Sequence, residues 1–287
     1  MSEPPQEPDT EPTASPLQLA SAQGALPLVL SLLNPPHLAD PNEPARGYYG
    51  RTALQAASHA GHLAIVTTLI AHGAAVDAPG GNNGGGTALA LAARAGHGSV
   101  VDVLIQNGAE INRPADRYNG RTALQAAAEG GHIDIVVRLL DSGADIHAPP
   151  ARNHGRTALQ AATEGLHVPV VELLLARGAG VDTPLMRHKG LTALQAAALA
   201  GCTILVRKLL DAGAEVNAEG SYYGGYTALC AAAEGGHVEV VRVLLAAGAD
   251  VWMVAGNSKR WRASQVAAWR GHGEVVRLLR GVEEAAR

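Results

Sequence analysis

Six threonines, Thr52, Thr87, Thr122, Thr157, Thr192 and Thr227, stand 35 residues apart without a slip. Gly50, Gly85, Gly120, Gly155, Gly190 and Gly225 precede them by two positions. Gly73, Gly108, Gly143, Gly178, Gly213 and Gly248 form another ladder of the same spacing. Gly61, Gly96, Gly131, Gly201, Gly236 and Gly271 form a third, in which Leu166 takes the one missing place. A chain with so fixed a period is built from copies of one supersecondary unit, stacked so that each buries its neighbour's apolar face.

The unit that opens at Gly120 reads GRTALQAAAEGGHIDIVVRLLDSGADIHAPPARNH. Thr122 is placed to cap a helix, because its hydroxyl oxygen can accept from an orphan backbone N–H of the first turn. An Ala-rich helix over 123–129 is predicted, ended at Gly130 and Gly131 by a left-handed turn. A second helix over about 132–141 follows, with Ile133, Ile135, Val136, Leu139 and Leu140 at helical spacing. Gly143 stops it, and a polar extended segment leads on. Each helix is too short to be stable alone in water, so stacking has to supply what is missing. The composition agrees. The chain has no Phe, three Trp and six Tyr, so thin layers of Ala and Leu have to make the interior.

The motif GRTALQAAxxGHxxIVxxLLxxGADIxA, carried from about residue 16 to 287, resembles the ankyrin repeat. The resemblance implies an all-α solenoid of antiparallel helix pairs with β-hairpin fingers projecting sideways. The usual motif TPLHLA is here TALQAA, a variant that resembles fungal-type arrays. The Gln, at Gln55, Gln125, Gln160, Gln195 and Gln265, offers an amide donor and acceptor that can take over the tying role of the family's His. The 35-residue period exceeds the usual ~33, and the extra length is assigned to the fingers.

The expected organisation is an acidic, proline-rich disordered tail over 1–15, a capping repeat over 16–49, six repeats over 50–259 and a second cap over 260–287. The tail lacks the basic start and apolar stretch of a signal peptide, and the apolar run at 26–33 is too short to span a bilayer. A soluble monomer is expected, in the cytoplasm, with the nucleus as the second compartment. Cys202 and Cys230 are too few for a disulfide framework and read as small apolar fillers.

Three patterns in the sequence resemble chemical sites. The histidines His62, His97, His132, His167, His237 and His272 recur at one position of the unit. Stacked units stand ~8–10 Å apart, while zinc needs ligand atoms at ~2.0–2.1 Å, so the column reads as structural and no metal is expected. Glu129, Glu164 and Glu234 share one position, which also holds His59, Arg94, Leu199 and Trp269. They read as solvated charges, since no nucleophile or orienting group accompanies them. The glycine-rich stretch over 79–86 lacks the Gly-Lys-Ser/Thr of a P-loop and reads as a finger tip.

The fingers hold the scarce aromatics and much of the basic charge, although the net charge is −4. The candidate partner-binding residues are Tyr48, Tyr49, Arg51, Arg117, Tyr118, Arg121, Arg152, Arg156, Arg187, Tyr222, Tyr223, Tyr226 and Trp261. Tyr, Trp and Arg are the types that dominate binding hot spots. The leading expectation is a non-enzymatic scaffold or adaptor gripping a protein partner, one with an acidic segment, along a basic and aromatic edge. No catalytic set and no cofactor are assigned. The first alternative is an enzyme acting on a small molecule in the groove, with Glu129 or Glu164 beside His154 or His188. The second is a nucleic-acid regulator using the short basic stretch over 258–262, which the acidic balance disfavours.

Overall fold

The computed structural model describes residues 14–45, 50–80, 86–114, 120–151, 155–182, 191–220, 225–255 and 260–286. Sixteen helices lie among them. The chain divides into two compact units, 1–110 and 111–287.

In the first unit the helices are α1 (Pro16–Gln23), α2 (Leu26–Leu33), α3 (Ala53–Ala60), α4 (Leu63–Ala71), α5 (Ala88–Ala95) and α6 (Gly98–Gln106). The odd-numbered helices pack on one another in series, α1 on α3 and α3 on α5, and the even-numbered ones do the same. Within each pair the two helices also touch. The second unit continues the pattern with α7 (Ala123–Gly130), α8 (Ile133–Asp141), α9 (Ala158–Glu164), α10 (Val168–Ala176), α11 (Ala193–Leu199), α12 (Thr203–Asp211), α13 (Ala228–Gly235), α14 (Val238–Ala246), α15 (Ala263–Arg270) and α16 (Gly273–Ala285). Two short strands, β1 (Val254–Ala255) and β2 (Trp261–Arg262), pair antiparallel just before α15, with Val254 opposite Arg262. Most of the inter-repeat segments to which fingers were assigned from sequence lie in part outside the described residues.

The composition explains the layers. Ala57, Ala92, Ala127, Ala162, Ala197, Ala232 and Ala267, one per repeat, are fully buried in the first helices. A methyl group is all that fits where two such helices approach this closely. In the second helices Leu69, Leu104, Leu139, Leu174, Leu209, Leu244 and Leu279 are fully buried in the same way. Alanine and aliphatic side chains thus make up the interior, and a chain without Phe can fill it.

Local bonds hold each start in place. Thr52 Oγ1 accepts from the Gln55 N–H at 3.2 Å, and the Thr52 N–H donates to Gln55 Oε1 at 2.9 Å. Thr122, Thr157 and Thr192 form the same capping box with Gln125, Gln160 and Gln195. The amide does more than cap. Gln55 Nε2 donates to the Ala78 carbonyl at 2.8 Å, and Gln195 Nε2 to the Ala218 carbonyl at 3.0 Å. The buried Gln thus ties its helix to the segment that leads into the next repeat, the tying role anticipated for it.

A second clamp lies at the other end of each repeat. Asn112 Nδ2 donates to the Gly143 carbonyl at 2.9 Å, and its Oδ1 accepts from the Asp145 N–H at 2.7 Å. Asn42 and Asn217 repeat this clamp within their own units. At the C-terminal end α16 is longer than the other second helices, and Ser264 Oγ donates to Glu283 Oε1 at 2.7 Å. Arg277, Arg280 and Glu284 point to solvent there.

Candidate interaction surface

The threonine N-cap, with or without the Gln of a full capping box, fixes the backbone just before these first helices, so the residue preceding the Thr projects from a set position. Eight residues on, in the last turn of the same helix, stands the position of Glu129. Helix rise separates these places by about 12 Å, and Cα–Cβ bonds lean back toward the helix start. Two long side chains can therefore meet along the helix. Arg121 Nε donates to Glu129 Oε2 at 3.0 Å, and Arg121 Nη1 to the Gly120 carbonyl at 3.1 Å. Arg156 binds Glu164 in the same manner and donates to the Gly155 carbonyl at 3.0 Å.

The same two places carry different chemistry elsewhere. In the last repeat Trp261 and Trp269 meet edge to face, with ring centroids 5.5 Å apart and planes at 63°. In the repeat before, Tyr226 hydrogen-bonds Glu234. Burial, then the Glu234 charge, pushes its phenol above the ordinary range. Arg270 pairs with Glu234 from the following repeat and lies over the Trp269 ring at 4.3 Å. Arg262 covers Trp252 at 4.6 Å. In the first unit the two places hold Arg51 with His59, and Gly86 with Arg94. Burial first, then the Arg94 guanidinium, lowers the pKa of Arg51. Burial, then Arg51, Arg94 and His97, pulls the His59 imidazole below its usual range.

Of the residues selected from sequence, Arg51, Arg121, Arg156, Tyr226 and Trp261 thus occupy one equivalent position, each in its own repeat. Tyr48, Tyr49, Arg117, Tyr118, Arg152, Arg187, Tyr222 and Tyr223 lie outside the described residues. So do His154 and His188, invoked for the enzyme reading. The carboxylates read as solvated are instead ion-paired, and Arg121 and Arg156 direct their guanidinium groups at them. Sequence reading missed this pairing, together with Arg270 and Trp269 as members of the surface. The signal was there: residue type changes in step at positions eight apart, Arg with Glu twice and Trp with Trp once.

The histidine column is a set of inter-repeat bonds. His97 Nε2 donates to the His59 carbonyl at 3.1 Å, and His167 Nε2 to the Glu129 carbonyl at 3.1 Å. His237 and His272 bond Leu199 and Glu234 in the same way, at 3.0 and 2.9 Å. A carbonyl can only accept, so these rings carry their proton on Nε2. Each ring lies against the left-handed glycine of the preceding repeat. A Cβ built on Gly61 would fall 2.5 Å from His97, and one on Gly131 would fall 2.4 Å from His167. The exception explains itself. Leu166, at φ 57°, stands where the glycine would be, and the next repeat has Cys202 in place of the histidine.

Among the described residues no group of three or more His, Cys, Asp or Glu is placed to hold a metal ion. No described helix is long and apolar enough to cross a membrane.

The family model for ankyrin repeats (3 copies) matches residues 17–115, 113–184, 150–220, 179–255 and 220–286. The crystal structure of the human ASB11 ankyrin repeat domain is similar, with a TM-score of 0.65 and 27% identity. That similarity covers 83% of this chain and 99% of the other. No curated protein matches.

Proposed function

The chain belongs to the ankyrin-repeat family, and from that premise we propose that it is a non-enzymatic scaffold or adaptor that binds a protein partner along its first-helix face. Ankyrin-repeat domains are in general protein–protein interaction modules. One observation carries the reading to this surface. The capping boxes, buried alanines and histidine bonds recur nearly unchanged, while the paired positions vary from Arg with Glu to Tyr with Glu to Trp with Trp. A constant frame with variable projecting side chains is the arrangement that recognition uses. The exposed Trp269 and the half-buried Trp252, with Arg270 and Arg262 stacked on them, supply contact area at low entropic cost. Basic residues on the same face suit a partner segment rich in carboxylates.

The test is a quantitative capture of partners from the native cell by the full chain and by a Tyr226→Ala, Trp261→Ala, Trp269→Ala variant. A control variant, Arg207→Ala with Glu239→Ala, alters the opposite helix layer. Loss of aromatic hot spots predicts a fall in affinity of about thirtyfold or more, with the control unchanged and helical circular dichroism preserved in both. Equal capture by the aromatic variant would show that the partner binds elsewhere.

A further inference from the structure

The helix pair α1–α2 keeps the stacking face of a repeat but leaves it in solvent. In later repeats the place of Leu28 is held by Ile65, Val100, Val170, Leu205, Val240 and Val275, each at most 1% exposed. Leu28 itself is 49% exposed. On α1, Leu19 is 48% exposed. Ala56, Ala161, Ala196 and Ala231, at its equivalent place, are buried, and Leu91 is half-buried. Pro16 is exposed where Ala53 is buried. The later residues are covered because a preceding helix pair packs on them, as α1 packs on α3 and α2 on α4. Pro16, Leu19 and Leu28 thus form the surface that every following pair buries.

This surface is also without charge. From Pro12 to Pro36 the sequence has no Asp, Glu, Lys, Arg or His, whereas every other helix pair carries at least one of them. The last pair is finished differently. Gln265 and Arg280 are exposed there, at places where Gln195 is buried and Leu210 half-buried.

We propose that the α1–α2 face is a homodimer interface, packed on the same face of a second copy about a two-fold axis. It continues the interface already made between α1–α2 and α3–α4, with a second chain in the place of a preceding repeat. A two-fold contact sets residues near the axis against their own copies, where like charges would repel, and here there are none. A head-to-tail stack is disfavoured, because it would bury the Arg280 guanidinium and the Gln265 amide against leucines. The dimer takes the place of the monomer expected from sequence and stands independently of the partner-binding surface proposed above. Two helices of eight residues side by side make a patch of roughly 12 Å by 20 Å. That is small for a specific interface, so association should be concentration-dependent and in the micromolar range or weaker.

Sedimentation velocity of the full chain, from micromolar to submillimolar concentration, tests the interface. The wild type should pass from monomer to dimer and stop there. Leu19→Glu with Leu28→Glu should stay monomeric, and so should Leu19→Lys with Leu28→Lys. Each should self-associate about a hundredfold or more weakly than the wild type. Helical circular dichroism should be unchanged in both, since the replaced side chains already stand half in water. Mixing the two variants should restore the dimer, because opposite charges then meet across the axis in any register. A wild type that stays monomeric throughout would overturn the assignment, and so would species that keep growing beyond the dimer. Undiminished dimerisation of either charged variant, or a mixture no more associated than its components, would place the contact elsewhere and overturn it equally.

Discussion

Gly131→Ala is expected to destabilise the second unit by about 2–4 kcal/mol, well beyond the ordinary cost of a methyl group on a surface turn. Two penalties combine. Gly131 has φ 75°, a conformation in which any Cβ is strained. The added Cβ would also stand 2.4 Å from His167 Nδ1, so the ring has to move. Moving it breaks the bond from Nε2 to the Glu129 carbonyl and leaves that helix-ending carbonyl without its partner from the next repeat. The attribution is checked by a double-mutant cycle in urea. His167→Ala alone loses the bond, but combined with Gly131→Ala it removes the clash, so the two losses should be clearly less than additive. Strict additivity would mean that the backbone strain alone is responsible and that the ring contact carries no energy.

The converse change should stabilise. Leu166 sits at φ 57° with its side chain half in solvent, so Leu166→Gly gives up little burial while removing about 1–2 kcal/mol of left-handed strain. Part of that gain is offset by the greater freedom of glycine in the unfolded chain, leaving a net rise of about 1 kcal/mol. Cys202→His alone should do harm, because a ring at 202 would meet the Leu166 side chain. On the Leu166→Gly background the ring is free to reach the Glu164 carbonyl, as His167 reaches Glu129. The pair should then be about 1–2 kcal/mol more stable than the wild type. Thermal melting of the four proteins checks this. A stabilising Cys202→His on the wild-type background would show that the Leu166 side chain does not block the position.

These two positions also mark where sequence reading stopped. The ladders of Thr and Gly were legible because a cap and a left-handed turn are local demands, satisfied within a few residues of the one that makes them. Thr122 with Gln125, and Gly131 after α7, follow from such rules. Leu166 and Cys202 are 36 residues apart and sit in different repeats. Read singly, one is a lone exception and the other a small filler. Only packing shows that each accommodates the other. The ion pairs were missed for a related reason. Helical neighbours are sought three and four residues apart, whereas Arg121 and Glu129 meet across the full length of a first helix because both side chains are long. The aromatic finger edge was legible as composition, but eight of its thirteen selected residues lie outside the described residues. The surface that can be argued in atomic terms is therefore the helix row beside it.

The glycine–histidine contact has a bearing on how such an array can lengthen or shorten. Each contact straddles a boundary, so a repeat copied or excised whole always carries away half of two contacts. Excision of 156–190 would set Gly131 against Cys202, a loose joint with no ring to seat. Excision of 191–225 would set Leu166 against His237, a ring driven into a side chain. The two losses are of equal length and nearly equal sequence, yet one is permitted by packing and the other is not. Units that look interchangeable on the page are thus ordered by what their neighbours will accept, and the Leu166–Cys202 joint is inherited as a pair.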